Sequence, residues 1–458
     1  MTAASQVDPA RRAAYDVLHE VGAGDGYANL VIRQVLADRR LHGRDAGFAT
    51  ELVMGSLRQR GTLDAVLGAC VDRPLAKLDP RVLDVLRLGA YQLLYLGTPA
   101  HAGVASSVDL AGEVCGPRPR GLVNAVLRKV SRRGLGDWLD DLAAGHDPVA
   151  ELALRTSHPR WIVAALRDAL GPGAVGELPD VLAVDNEPPG VTLVARPGRI
   201  TVDDLAAEAS SAGPGRWSPL AVRLGGGRPG DLAAVREQRA GVQDEGSQLT
   251  ALALADAPLD GGPDSRWLDL CAGPGGKAAL LAALAAQRGA ELLAVEPRAA
   301  RARLVARALA GSPGAHLVVR ADGRTGPWRP GTFDRVLVDA PCTGLGVLRR
   351  RPESRWRRTP ADVAALAGLQ RELLRAALAA ARPGGLVAYV TCSPHIAETD
   401  LVVDDVLRGR ADVEEVDARA GLPTPELEVG PGPRFRLWPH RHGTDGMFCA
   451  LLRVRPRR

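Results

Sequence analysis

Apolar positions recur at helical spacing through the first third of the chain. Ala14, Val17, Leu18 and Val21 share one face, and Val82, Val85, Leu86, Leu93 and Leu94 repeat the pattern. Asp8-Pro9 and Asp79-Pro80 each put a capping carboxylate before a first-turn proline. A third stripe, Leu122, Val123, Val126, Leu127 and Val130, is backed by Arg128, Lys129, Arg132 and Arg133. The spacing predicts an all-α bundle over 1–140 with one basic helix. Between 141 and 240 the period breaks at Gly171-Pro172-Gly173, Glu187-Pro188-Pro189-Gly190 and Gly225-Gly226-Gly227. Short strands fit Val191–Ala195 and Leu220–Leu224, so a small α+β connector is expected there.

From 241 the pattern becomes strand, loop, helix. Strands are predicted at Trp267–Cys271, Leu292–Glu296, Leu317–Arg320, Phe333–Ala340, Leu386–Cys392 and Phe448–Val454. Helices are predicted from Lys277, over Arg298–Leu309 and over Pro360–Arg382. This alternation predicts a mostly parallel, doubly wound α/β domain over 241–458. The fold class is therefore multidomain.

Composition narrows the partner. Lys+Arg outnumber Asp+Glu by 58 to 53, and aromatics are 3%, so the cores rest on Leu, Val and Ala. The basic excess is local. Arg349, Arg350, Arg351, Arg355, Arg357 and Arg358 face only Glu353, and the stretch Arg118–Arg133 holds no acid. Such clusters suit a polyanion, although a solvated Arg-rich surface reads the same way. The six cysteines, Cys70, Cys115, Cys271, Cys342, Cys392 and Cys449, make no CxxC and no metal-like spacing with histidine, so free thiols and no metal are expected. The opening eight residues carry no charged-then-apolar signal, and no apolar run reaches the ~18 residues of a membrane span. A cytoplasmic monomer is the expectation.

Three motifs carry chemistry. Cys271-Ala272-Gly273-Pro274-Gly275-Gly276-Lys277 follows a strand and opens a helix, the setting in which backbone N–H groups meet a nucleotide or adenosyl ligand. Its Gly-x-Gly-Gly spacing fits neither a dinucleotide fingerprint nor a P-loop. Three acids, Glu296, Asp322 and Asp339, stand at or just past successive strand ends, where ligands of open sheets bind. Finally, Asp339-Ala340-Pro341-Cys342-Thr343-Gly344-Leu345-Gly346 and Thr391-Cys392-Ser393-Pro394 each set a cysteine just past a strand. A free cysteine is usually a small buried hydrophobe, which suits Cys70, Cys115 and Cys449 but not a pair so placed.

These motifs, with the Arg-Arg-x-Pro that follows Cys342, resemble the Sun-type (Fmu) RNA cytosine-5 methyltransferases, and the helical segment is similar to the NusB-like domain fused to one member. The resemblance implies a Rossmann-like domain that binds S-adenosyl-L-methionine. It implies that Cys392 is the nucleophile and Cys342 the group that releases product. It assigns Cys271–Lys277, Glu296, Asp322 and Asp339 to the cofactor, with Asp339 also near the base. The substrate it implies is small-subunit (16S) ribosomal RNA. Gly273 stands where the family usually has alanine, Glu296 where aspartate is common, and Thr399 where asparagine is frequent.

The chemistry asks for two thiols on its own terms. Cytosine C5 is a poor nucleophile until a thiolate adds to C6, and a base must then take the C5 proton. Cys392 is expected to be activated by a helix beginning near Pro394. The Arg349–Arg358 segment is expected beside the cofactor pocket, with Trp356 either stacking on a base or packing in a core. Rival readings are a transfer-RNA cytosine-5 methyltransferase, a non-catalytic RNA-binding or antitermination factor, and a nicotinamide oxidoreductase. The pair of cysteines disfavours the last two.

Overall fold

The predicted caps act as caps. Asp8 Oδ1 accepts from the Arg11 amide at 2.9 Å and Asp79 Oδ1 from the Arg81 amide at 2.9 Å, opening helices Pro9–Ala23 and Pro80–Leu94. The computed structural model describes residues 7–456, apart from 25 and 210, so most of the opening segment read above lies outside it. The chain divides into two compact units, Met1–Pro188 with Leu348–Arg358, and Pro189–Val347 with Thr359–Arg458.

The first unit is helical. Its apolar stripes converge on a core that includes Val17, Leu52, Leu63, Leu67, Val85, Leu86 and Leu127, all wholly buried. The basic helix, Arg120–Val130, buries Val123, Val126, Leu127 and Val130 as expected. Part of its charge is used locally. Arg120 pairs with Asp109, Arg133 with Asp141, and Lys129 donates to the Cys70 carbonyl.

The Arg-rich segment belongs to the helical unit. Helices leave their last carbonyls without intrahelical partners, and their C-terminal ends favour cations. Residues 349–358 supply what those ends need. Arg355 is fully buried and donates to the carbonyls of Arg58, Ser157 and Asp185 at 3.1, 3.3 and 2.6 Å, each at or just past a helix C-terminus. It also donates to Asn186 Oδ1 at 2.7 Å. Arg357 donates to the Val21 carbonyl, in the last turn of helix Pro9–Ala23, and to the Gly26 carbonyl in the loop that follows. Glu353 serves the opposite pole and accepts from Ala28 N at the start of helix Ala28–Asp38. Trp356 packs against Gly61, where a Cβ would lie 2.4 Å from its ring, and the Arg60 guanidinium lies 5.9 Å from its ring centroid. Trp356 is thus a packing residue.

The expected connector 141–240 is shared between the units. Its helices through Leu178–Val184 lie in the first. In the second, β1 (Val191–Ala195), β2 (Ala212–Pro214), β3 (Ala221–Leu224) and β4 (Ala240–Val242) form an antiparallel sheet in the order β2-β3-β1-β4. Buried Arg196 explains this allegiance. It donates to the Gln238 carbonyl at 2.7 Å and to the Ala308 carbonyl at 2.9 Å, fastening the small sheet to helix Ala299–Leu309.

The large sheet comprises β5 (Arg266–Asp269), β6 (Glu291–Val295), β7 (His316–Val319), β8 (Phe333–Asp339), β9 (Ala381–Thr391), β10 (Val413–Val416), β11 (Phe435–Leu437) and β12 (Met447–Val454). Its order is β10-β12-β9-β8-β5-β6-β7, with β11 on β12. Strands β5 to β9 pair in parallel, and β10, β11 and β12 are antiparallel additions. The order reverses between β5 and β8, and crevices for ligands open at such switch points. Among the described residues no helix is long and apolar enough to cross a membrane.

Candidate active site

The loops that follow β5 and β8 meet at this switch point. After β5 comes the glycine loop. Ala272 N donates to the Val295 carbonyl at 2.9 Å, which aligns the loop with the end of β6. Ala272, Gly273 and Gly275 are buried, Cys271 and Lys277 are half-buried, and Pro274 and Gly276 are exposed at the start of helix Gly276–Gln287. Glu296, at the end of β6, is 4% exposed and accepts from the Arg298 amide at 2.9 Å.

Gly273 and Glu296 explain each other. A Cβ on residue 273 would stand 2.2 Å from Glu296 Oε2 and 2.9 Å from Arg301 Nε. The Glu296 carboxylate thus occupies the space that an alanine methyl at position 273 would need. Arg301 closes the corner by donating to the Gly273 carbonyl.

Asp322 caps the short turn Gly323–Thr325 and forms an ion pair with Arg324, which holds its carboxyl below the usual range. Asp339 ends β8 and accepts from Lys277 Nζ at 2.9 Å. Burial opposes the Lys277 charge, but the Asp339 carboxylate prevails and raises its pKa, and Cys392 also acts on it electrostatically. One acid in the same motif escaped the sequence reading. Asp269, at the end of β5, is buried, and burial together with the charge of Asp339 pushes its pKa up to about 7. Its Oδ1 accepts from Cys271 N at 3.3 Å, and its buried Oδ2 has no protein partner. The signal was available, since an acid closing an apolar strand beside a glycine loop is a poor core residue. Desolvation, and after it the charges of Asp269, Asp339 and Glu296, push the Cys271 thiol well above its ordinary value.

Parallel pairing of β8 with β9 sets Asp339 opposite Val390, so the two cysteine loops leave the sheet side by side. Cys342 Sγ and Cys392 Sγ lie 3.4 Å apart. The hydrogen bond to Cys392, and burial after it, push the Cys342 thiol well above its ordinary value. Gly346 lets these loops close up. A Cβ there would sit 2.1 Å from the Gly446 carbonyl oxygen, while Gly346 N donates to the Cys392 carbonyl at 2.9 Å. The expected helix at Pro394 is absent. A single turn, Ile396–Glu398, follows, and the α-helix begins only at Asp400. Lys277 and Cys392 are close enough to interact electrostatically. Glu398, fully buried and bonded to both thiol loops, was also missed, because its partner Thr343 is 55 residues away in sequence.

The site thus collects the glycine loop, a buried acid with an unused oxygen, a lysine–aspartate pair and two thiols in contact. Asp269 Oδ2 and the loop amides fit a cationic adenosyl cofactor. Residues 257–453 match the model of the 16S rRNA methyltransferase RsmB/F family, and residues 8–132 match the NusB family. The putative methyltransferase Rv1407 of Mycobacterium tuberculosis is 56% identical over 98% of this chain and 97% of its own. The probable ribosomal RNA small subunit methyltransferase B of Bacillus subtilis is 31% identical over 97% of this chain and 98% of its own. The crystal structure of PH0851 superposes with a TM-score of 0.82 at 22% identity, covering 98% of this chain and all of that one, and bears on the fold.

Proposed function

This chain belongs to the RsmB/F family of S-adenosylmethionine-dependent methyltransferases, with a NusB-type helical domain, and from that premise we propose that it makes 5-methylcytosine in small-subunit ribosomal RNA through a covalent bond between Cys392 and cytosine C6. The observation that carries the reading is the pair of thiols in contact, at the ends of adjacent parallel strands beside the Lys277–Asp339 pair. A cytosine must be single-stranded or flipped to present its faces there. The NusB-type helices bind the RNA, and the protein works as a monomer in the cytoplasm.

S-adenosylmethionine, when bound, supplies an electrophilic methyl group. The glycine loop Cys271–Lys277, Asp269, Glu296, Asp322 and Asp339 would hold it. Lys277 places a positive charge beside the Cys392 sulfur, which favours the thiolate. Sulfur adds to C6, and the electron pair displaced from the 5,6 double bond makes C5 nucleophilic. Asp339, fixed by Lys277, accepts from the exocyclic amine of the base. After methylation the C5 proton passes to a base, Cys342 or a water it positions. The C6–S bond then breaks, its electrons free Cys392 as thiolate, and the double bond returns.

The test is product identity. The protein is incubated with methyl-labelled cofactor and transcripts of small-subunit ribosomal RNA or transfer RNA, and the digested nucleosides are separated. Label in 5-methylcytidine from the ribosomal transcript is the expected result. Label in another nucleoside, or only from transfer RNA, refutes the proposal.

Asp269 gives this reading a pH signature. As an acid whose folded pKa is raised, it becomes charged only as pH passes about 7, and a cationic ligand prefers it charged. Cofactor affinity, measured by calorimetry without RNA, should rise severalfold between about pH 5.5 and about 7.5, bounded by the tenfold per unit of a single proton. Asp269→Asn should flatten that rise. An equal pH dependence in the variant would remove Asp269 from the cofactor site.

A further inference from the structure

The two thiols hang from different strands, and a buried carboxylate joins their loops. Glu398 Oε1 accepts from the Thr343 amide at 2.8 Å, and its Oε2 accepts from the Thr343 hydroxyl and, at 2.6 Å, from the Ser393 hydroxyl. Thr343 adjoins Cys342 and Ser393 adjoins Cys392, so each anchor is one residue from a sulfur. Gln370, on helix Pro360–Ala380, donates to Glu398 Oε1 at 3.3 Å and to the Pro341 carbonyl at 2.9 Å. From behind, the Tyr389 hydroxyl donates to the Glu398 carbonyl at 2.7 Å. Four donors use the acceptor capacity of one carboxylate. Glu398, Ser393 and Gln370 are wholly buried and Thr343 nearly so, so water cannot stand in for a lost contact.

We propose that Glu398 is a positioning residue that sets the separation of Cys342 and Cys392, so that the thiol that attacks and the thiol that releases address the same pyrimidine. This rests on the two-thiol reading above. A neutral amide replaces the carboxylate only imperfectly. In Glu398→Gln one oxygen becomes an NH2 donor, so the Thr343 and Ser393 hydroxyls must turn from donating to accepting, and the charge-assisted bonds that tie both loops to one carboxylate are lost.

The experiment measures geometry and turnover separately, in the full-length protein. Diamide, which takes the hydrogens of two thiols to form a disulfide, is added without RNA or cofactor, and closure of Cys342–Cys392 is timed by mass spectrometry. Turnover is measured on a transcript of small-subunit ribosomal RNA, and cofactor affinity by calorimetry. Because misplacing a reacting group by about 1 Å can cost up to ~100-fold, Glu398→Gln should close the disulfide about tenfold more slowly and lower kcat about 30-fold. KM for RNA and the cofactor Kd should stay within about twofold. Loss of fold would reduce cofactor binding as well, and Glu398→Asp provides a milder variant if the amide folds poorly. Thr343→Val should reproduce the loss and Thr343→Ser should recover most of it. Folded Glu398→Gln with wild-type closure and kcat overturns the proposal. Failure of the two-thiol reading appears elsewhere, as an active Cys392→Ala protein, and the closure rates would still decide whether Glu398 sets the sulfur separation.

Discussion

Cys392→Ala should abolish methyl transfer to RNA, lowering the single-turnover rate by at least about 10,000-fold, equivalent to about 5.5 kcal/mol of barrier. The size follows from the role. Without sulfur at C6, cytosine C5 remains too electron-poor to take the methyl group, and no neighbour can replace the missing bond. The Cys342 sulfur is 3.4 Å away, and although the variant removes the contact to Cys392 that does most to raise its pKa, burial still holds its proton. The residue is only partly buried, so truncation leaves a small gap and the fold should survive. Cofactor affinity should stay within about twofold, because the glycine loop and Asp269 are untouched. An alanine variant that methylates RNA at the wild-type rate would sink the covalent mechanism.

Cys342→Ala should fail in a different way, by stopping after the bond to RNA has formed. Attack needs Cys392 and Lys277, both intact, whereas release needs the C5 proton to leave. A denaturing gel of the variant, incubated with transcript and cofactor, should show a slow-migrating protein–RNA band. Multiple turnover should fall by about 100-fold or more, the usual worth of a positioned proton-transfer group. Adding Cys392→Ala should remove the band. Normal turnover without an adduct in the single variant would show that Cys342 has no part in release.

Much of this site was legible because its pieces are local. Each motif sits on one strand end, and strand alternation alone places those ends together. The helical stripes of 1–140 were equally plain, since Val82, Val85 and Leu86 on one helix, and Val123, Val126, Leu127 and Val130 on another, repeat at the helical period. What stayed hidden was non-local. Nothing in Arg349–Arg358 distinguishes an Arg that meets phosphate from one that meets carbonyls. The difference lies in the ends of helices more than a hundred residues away, such as Arg58 and Ser157. Glu398 carries no signal in its own neighbourhood, and only the pairing of β8 with β9 brings Thr343 to it. The split of 141–240 turned on Arg196 reaching Ala308. Pro394 suggested a helix start, but the intervening turn exists to carry Glu398 down to the thiol loops.

The segment that crosses back into the helical unit has a bearing on how the polypeptide is made. Residues 348–358 leave the ribosome only after the glycine loop and four strands of the large sheet. Until then the buried carbonyls of Arg58, Ser157 and Asp185 have no guanidinium to receive them. The amino-terminal half is therefore completed from its own distant continuation, and a gene cut after residue 188 would encode a bundle with its apolar centre intact but its keystone missing.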